Sequence, residues 1–119
     1  NIVILSEAQM DLEIAAQGFA ALGSEARLQV VLTLVKAGQG GLTVGDIQTR
    51  TGMPASTLAH HLKFLASAGL VSQEKDGRSV INRAAYGHLE NLAGYILKEC
   101  CVDEKGCECP TPQKETVDV

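Results

Sequence analysis

The chain has 119 residues, of which 45% are apolar and 20% charged, the balance of one folded globular domain and not of a disordered or collagen-like chain. Its aromatics are two Tyr and two Phe, with no Trp, so the core is aliphatic and no platform exists on which single-stranded bases could stack. The net charge is −4, an unpromising sign for a polyanion partner until it is divided along the chain.

The apolar positions Ala8, Leu12, Ala15, Phe19 and Leu22 step by four and three and predict a first helix. The apolar opening Ile2–Leu5 before it is far short of the roughly 20 residues of a membrane span. It also lacks the basic flank of a signal peptide, so a cytoplasmic protein with no membrane partner is expected. Ser24 is a natural N-cap for a second helix striped by Leu28, Val31, Leu32 and Val35, which Gly38, Gly40 and Gly41 end. Thr43 caps a short third helix through Val44, Ile47 and Gln48, stopped by Gly52. Pro54 suits the first turn of a fourth helix running to about Ala68, with Gly69 as its left-handed stop. Segments 70–74 and 79–83 read as strands joined through Asp76-Gly77, a hairpin signal. A last helix carries Leu89, Leu92, Ala93, Ile96, Leu97 and Cys100 on one stripe.

The expected fold is mainly α with a β-hairpin wing (α+β), a winged helix-turn-helix in the order ααααββα. Residues 1–9 form an N-terminal extension, 10–102 the dimeric DNA-binding domain and 103–119 a flexible, cysteine-containing tail. The stripes Leu12/Phe19 and Leu89/Leu92/Ile96 are more than so small a domain can cover by itself, so a homodimer through its first and last helices is expected. Segment 43–83 carries Arg50, Lys63, Lys75, Arg78 and Arg83 against Asp46, Glu74 and Asp76, and is the one positive stretch between acidic ends. A DNA duplex would be met there.

At about 100° per residue, Leu58, Leu62 and Leu65 share one face of the fourth helix, and Ser56, His60, Lys63 and Ser67 lie opposite. Hydroxyls, an imidazole and an ammonium on one face suit a major groove and its phosphates. His61 falls beside the core and reads as a packing or phosphate-contacting residue. No Gly-rich phosphate loop, nucleophile elbow or concentrated carboxylate pair is present, so an enzyme is not expected.

The run from Met53 to Val71, MPASTLAHHLKFLASAGLV, resembles the recognition helix of the ArsR/SmtB family of metal-sensing bacterial repressors. The segment from Leu22 to Leu28, LGSEARL, is similar to that family's second-helix opening, and Asp76-Gly77-Arg78 to its wing tip. The resemblance covers about residues 10–102. It implies a homodimeric repressor on double-stranded operator DNA, with Ser56, Thr57 and His60 reading sequence and Lys63 and Arg78 holding the backbone or minor groove. Members often carry Ser where this chain has Ala59, which leaves more of the readout to Ser56, Thr57 and His60.

The four cysteines, Cys100, Cys101, Cys107 and Cys109, fall within ten residues, a local thiol site and not a disulfide framework. Thiolates select soft ions. Three sulfurs suit As(III) or Sb(III), whereas structural zinc uses four ligands, commonly as paired knuckles. Another soft metal such as Cd(II) or Zn(II), a redox switch or incidental thiols would also account for the cluster. The family's arsenic position in the third helix has no cysteine here, and its last-helix zinc site would have only His88 and Glu90, at one end. The cluster resembles the C-terminal cysteine site of an arsenic-responsive subgroup, with Cys100, Cys101 and Cys107 matching and Cys109 a spare or alternative ligand. As(III) or Sb(III) would then be the inducer, with no organic cofactor. A thiol metalloid-binding protein that never touches DNA is the reading from another class, and it leaves helix-turn-helix and wing unexplained.

Overall fold

The computed structural model describes residues 10–104. Helix α1 (Leu12–Leu22) begins where the Asp11 carboxylate accepts the Ile14 N–H, a cap that starts the helix just after the described chain begins. Ala8 lies outside the described residues. Helix α2 (Glu25–Ala37) opens on Ser24, whose hydroxyl accepts the Arg27 N–H at 3.3 Å. A single 3₁₀ turn (Gly38–Gly40) leads to α3 (Val44–Thr51), where Thr43 and Asp46 form a reciprocal capping box and Gly52 closes at φ 79°. Helix α4 (Ala55–Ser67) follows, with Pro54 one position earlier than expected, at the N-cap, and Gly69 at φ 82° beyond the last turn. Strands β1 (Val71–Asp76) and β2 (Ser79–Ala84) pair antiparallel from Val71↔Ala84 to Asp76↔Ser79 across the two-residue loop Gly77-Arg78. Helix α5 (Tyr86–Tyr95) completes the order ααααββα.

The core is aliphatic. Val30, Val31 and Leu34 of α2, Ile47 of α3, Leu58, Leu62 and Leu65 of α4, Leu70, and Leu92 of α5 are all buried. Three expectations are corrected. Helix α2 is apolar on two faces, and it buries Val30, Val31 and Leu34, while Leu28, Leu32 and Val35 stand 40–52% exposed. The regular part of α5 stops at Tyr95, and the chain continues to Glu104 through successive i→i+3 bonds such as Cys100 N–H to Leu97 O. Leu92 is a core residue and not an interface one. It packs into the notch left by Gly18 of α1, where an added Cβ would stand 2.6 Å from Leu92 Cδ1. Leu12, Ile96, Leu97 and Val102 remain 54–71% exposed, so among the described residues they form apolar surface on α1 and on the segment after α5.

Asn82 is the one buried polar side chain among the described residues. Its backbone exchanges both hydrogen bonds with Leu42, its amide donates to Leu42 O at 3.1 Å, and Gln73 Nε2 donates to its Oδ1 at 2.8 Å. Every polar atom of the side chain that needs a partner in the low-dielectric interior has one. This single antiparallel bridge from Leu42, two residues ahead of α3, to β2 ties the wing to the helical body. Gly41, at φ 74°, runs so close to β2 that a Cβ would lie 2.8 Å from Asn82 O.

Candidate nucleic-acid interface and thiol pair

Leu58, Leu62 and Leu65 hold α4 on the core, which turns Ser56, Thr57, His60 and Lys63 outward, all four exposed. Lys63 has no hydrogen-bond or ion-pair partner among the described residues, so its ammonium is available to a phosphate. Ser67, on the same face, instead donates to Phe64 O at 2.8 Å. The rings of His60 and His61 lie 6.2 Å apart and tilted by 52°. His61 is half-buried with Nδ1 unpartnered. Burial holds its pKa below the usual 6.5, and the positive charge of Arg27 and then His60 push the same way. His61 therefore adds no full positive charge to this surface at neutral pH.

The wing presents Arg78 at its tip, exposed, with Gly77 at φ 66° making the turn. Arg83, one of the five basic residues of the positive segment, is already engaged. Its Nε donates to Gln39 O at 2.8 Å and its guanidinium pairs with Glu74 at 2.6 Å. An open cleft between the start of α3 (Thr43, Val44, Gly45) and the wing (Arg78, Ser79, Val80) separates the two elements that flank α4.

At the other end of the chain Cys100 and Cys101 are half-buried with their sulfurs 3.1 Å apart. Adjacent residues reach that separation because Cys101 adopts φ 64°, a left-handed turn unusual for a residue with a side chain. Cys107 and Cys109 lie outside the described residues. Among the described residues no three His, Cys, Asp or Glu side chains gather into a metal site. His88 packs on Gly69 with Nε2 buried, and Glu90 is exposed.

Sequence reasoning missed two residues that fix this geometry. One is Asn82, a polar side chain in an inward strand position, which is a visible if ambiguous sign of a buried hydrogen-bond anchor. The other is Arg27, whose side chain joins three helices and whose contacts have no sequence signature.

Residues 22–74 match the model of a helix-turn-helix domain, which spans α2 through most of β1. The HTH-type transcriptional regulator YceK of Bacillus subtilis is 37% identical over 71 residues, 60% of this chain and 70% of that one. The HTH-type transcriptional repressor SmtB of Mycobacterium tuberculosis is 31% identical over 81 residues, 68% of this chain and 58% of that one. The chain belongs to the ArsR/SmtB family of transcriptional regulators. As an ArsR/SmtB regulator it shares its fold with the homodimeric winged helix-turn-helix domain Mb0332 of Mycobacterium bovis, described as a possible ArsR-family regulator. That structure superposes with a TM-score of 0.59 at 28% identity, over 84% of this chain and 97% of that one. The expected winged helix-turn-helix architecture is thus present, with α3 and α4 as its helix pair and the β1–β2 hairpin as its wing. No single helix among the described residues is long and apolar enough to cross a membrane.

Proposed function

We propose that this ArsR/SmtB regulator is a cytoplasmic repressor that binds double-stranded operator DNA as a homodimer and leaves it when As(III) or Sb(III) binds its C-terminal cysteines. Ser56, Thr57 and His60 read base edges in the major groove, Lys63 neutralises phosphate, and Arg78 of the wing reaches the adjacent backbone or minor groove. The dimer is closed through the exposed apolar residues at the two ends of the chain.

The observation that carries the inducer is the thiol pair. Two sulfurs 3.1 Å apart fall well within the roughly 4.6 Å that two metal–sulfur bonds of about 2.3 Å can span. Cys100 and Cys101 would hold the ion together with Cys107, and Cys109 is dispensable. Binding would require thiolates and release protons. It would favour a dimer arrangement whose recognition helices no longer match successive major grooves. A tenfold to hundredfold loss of operator affinity needs a coupling of only about 1.4–2.7 kcal/mol.

The test is a titration of the protein–promoter complex with As(III), Sb(III), Cd(II), Zn(II) and peroxide, followed by fluorescence anisotropy. The metalloids release the parent. Cys100→Ser, Cys101→Ser and Cys107→Ser stay bound at concentrations that release it, and Cys109→Ser responds nearly as the parent does. Four variants that all release like the parent would remove the cysteines as the sensor. Release by Cd(II), Zn(II) or peroxide alone would replace the inducer and keep the repressor.

A further inference from the structure

We propose that Arg27 is a positioning residue for DNA recognition, clamping helix α4 to the end of α1 so that the reading face is presented in one orientation. The inference rests on α4 being the recognition helix. Arg27 lies in the first turn of α2, where the helix dipole disfavours a cation, so its place needs another reason. The side chain supplies one. Its Nε donates to Ala21 O at 2.7 Å and its Nη2 to Ala20 O at 3.4 Å. Both are carbonyls from the last turn of α1, which has no cation of its own there; Ala20 O also accepts the Gly23 N–H at 3.1 Å, so the Nε bond to Ala21 O is the principal one. The same guanidinium stacks on the Phe64 ring, 4.2 Å from its centroid.

Phe64 is 40% exposed on α4, one residue after Lys63 and four after His60, so it sits one turn below the proposed base reader. The planar guanidinium can donate in its plane to α1 while its face covers the ring, which an ammonium cannot do. Arg27 therefore links the helix at the proposed dimer interface, the start of α2 and the reading helix through one side chain. The leucines of α4 hold one face of it on the core, and the Arg27–Phe64 contact adds a second hold on its flank, away from the leucine face and next to His60 and Lys63.

Four single variants, Arg27→Ala, Arg27→Lys, Phe64→Leu and Phe64→Tyr, and the Arg27→Ala/Phe64→Leu double variant test this, each measured for affinity to promoter DNA and to a random duplex across a salt series. Thermal unfolding is recorded in parallel, and the His61 ring is titrated by NMR. Arg27→Ala and Phe64→Leu should each lose about tenfold or more of promoter affinity, with random-duplex affinity and salt slope unchanged. Arg27→Lys should fail to rescue, Phe64→Tyr should retain parental discrimination, and the Arg27→Ala/Phe64→Leu double variant should be no worse than either single one. The His61 midpoint should rise when Arg27 is removed. If Arg27→Ala will not fold, the Phe64→Leu and Phe64→Tyr pair decides alone.

Equal losses on both duplexes with a shallower salt slope would make Arg27 a phosphate contact and overturn the inference. Promoter affinity within twofold of the parent in Arg27→Ala or Phe64→Leu would overturn it as well. If His60→Ala loses discrimination while Arg27→Ala keeps it, the inference alone fails. If the parent and His60→Ala both bind the two duplexes alike, the reading of α4 fails and takes the inference with it.

Discussion

Replacing Asn82 with Asp changes one atom of a fully buried side chain and should cost more than removing the side chain altogether. In the parent, Nδ2 donates to Leu42 O at 3.1 Å and Oδ1 accepts from Gln73. Asn82→Ala loses those two neutral bonds, each worth about 0.5–1.5 kcal/mol. Leu42 O keeps the Asn82 N–H at 2.8 Å, and Gln73, being exposed, turns to water. A loss of about 1–3 kcal/mol is expected. Asn82→Asp keeps the Gln73 bond but sets a carboxylate oxygen against Leu42 O in a site without a cation, and burying a charge so poorly paired costs at least about 3 kcal/mol. The carboxyl pKa in the folded state is raised above its unfolded value of about 3.9. Below that value both states are protonated, the acid donates to Leu42 O and the penalty is absent. As pH climbs past it the unfolded chain releases its proton first, and stability falls until the folded pKa is reached. Urea unfolding followed by circular dichroism, at fixed protein concentration from pH 4 to 8, gives the difference between the two variants. An Asp variant at least as stable as the Ala variant at pH 7, or a gap that does not narrow on acidification, would mean that the buried amide is not the anchor between β2 and Leu42.

Gly41→Ala should destabilise by about 2 kcal/mol or more in the same assay, because φ 74° is left-handed and the new Cβ would stand 2.8 Å from Asn82 O. Ile96→Glu should shift sedimentation from dimer to monomer with the melt of each protomer retained. Leu92→Glu should unfold the chain instead, since Leu92 is 2% exposed. Lys63→Ala should weaken promoter and random DNA together and lower the salt slope by about one. His60→Ala should narrow the gap between the two DNAs by about 1–3 kcal/mol, as read from competition anisotropy.

The caps and stops were legible because each is a local interaction. Ser24, Thr43, Gly52, Gly69 and the hairpin turn, which falls at Gly77-Arg78, one residue beyond the expected Asp76-Gly77, depend on residues no more than a few positions apart. The face of α4 was legible for a related reason. Its leucines recur at one angle, so burying them exposes Ser56, Thr57, His60 and Lys63. Helix α2 was misread because it is apolar on two faces, and periodicity cannot choose between Val30/Val31/Leu34 and Leu28/Leu32/Val35 without the neighbours. Leu92 was misplaced for want of its partner, because the notch at Gly18 exists only once α1 and α5 cross. The Arg83–Glu74 pair was hidden in the charge count, and only strand register brings the two side chains together.

The left-handed residue at position 101 makes helix length and thiol spacing alternatives. An α-helix carried onward from Tyr95 through the cysteines would turn Cys100 and Cys101 about 100° apart around its axis and send their sulfurs in different directions. The shorter helix, followed by 3₁₀-type turns, brings the same sulfurs to 3.1 Å. Any event that winds this segment into regular helix dismantles the dithiol, and any event that clamps the dithiol forbids the extra turn. The exposed Ile96 and Leu97 lie on that stretch, so the rise per residue there, 1.5 Å in an α-helix against about 2.0 Å in a 3₁₀ turn, also sets where those two apolar side chains fall along the surface.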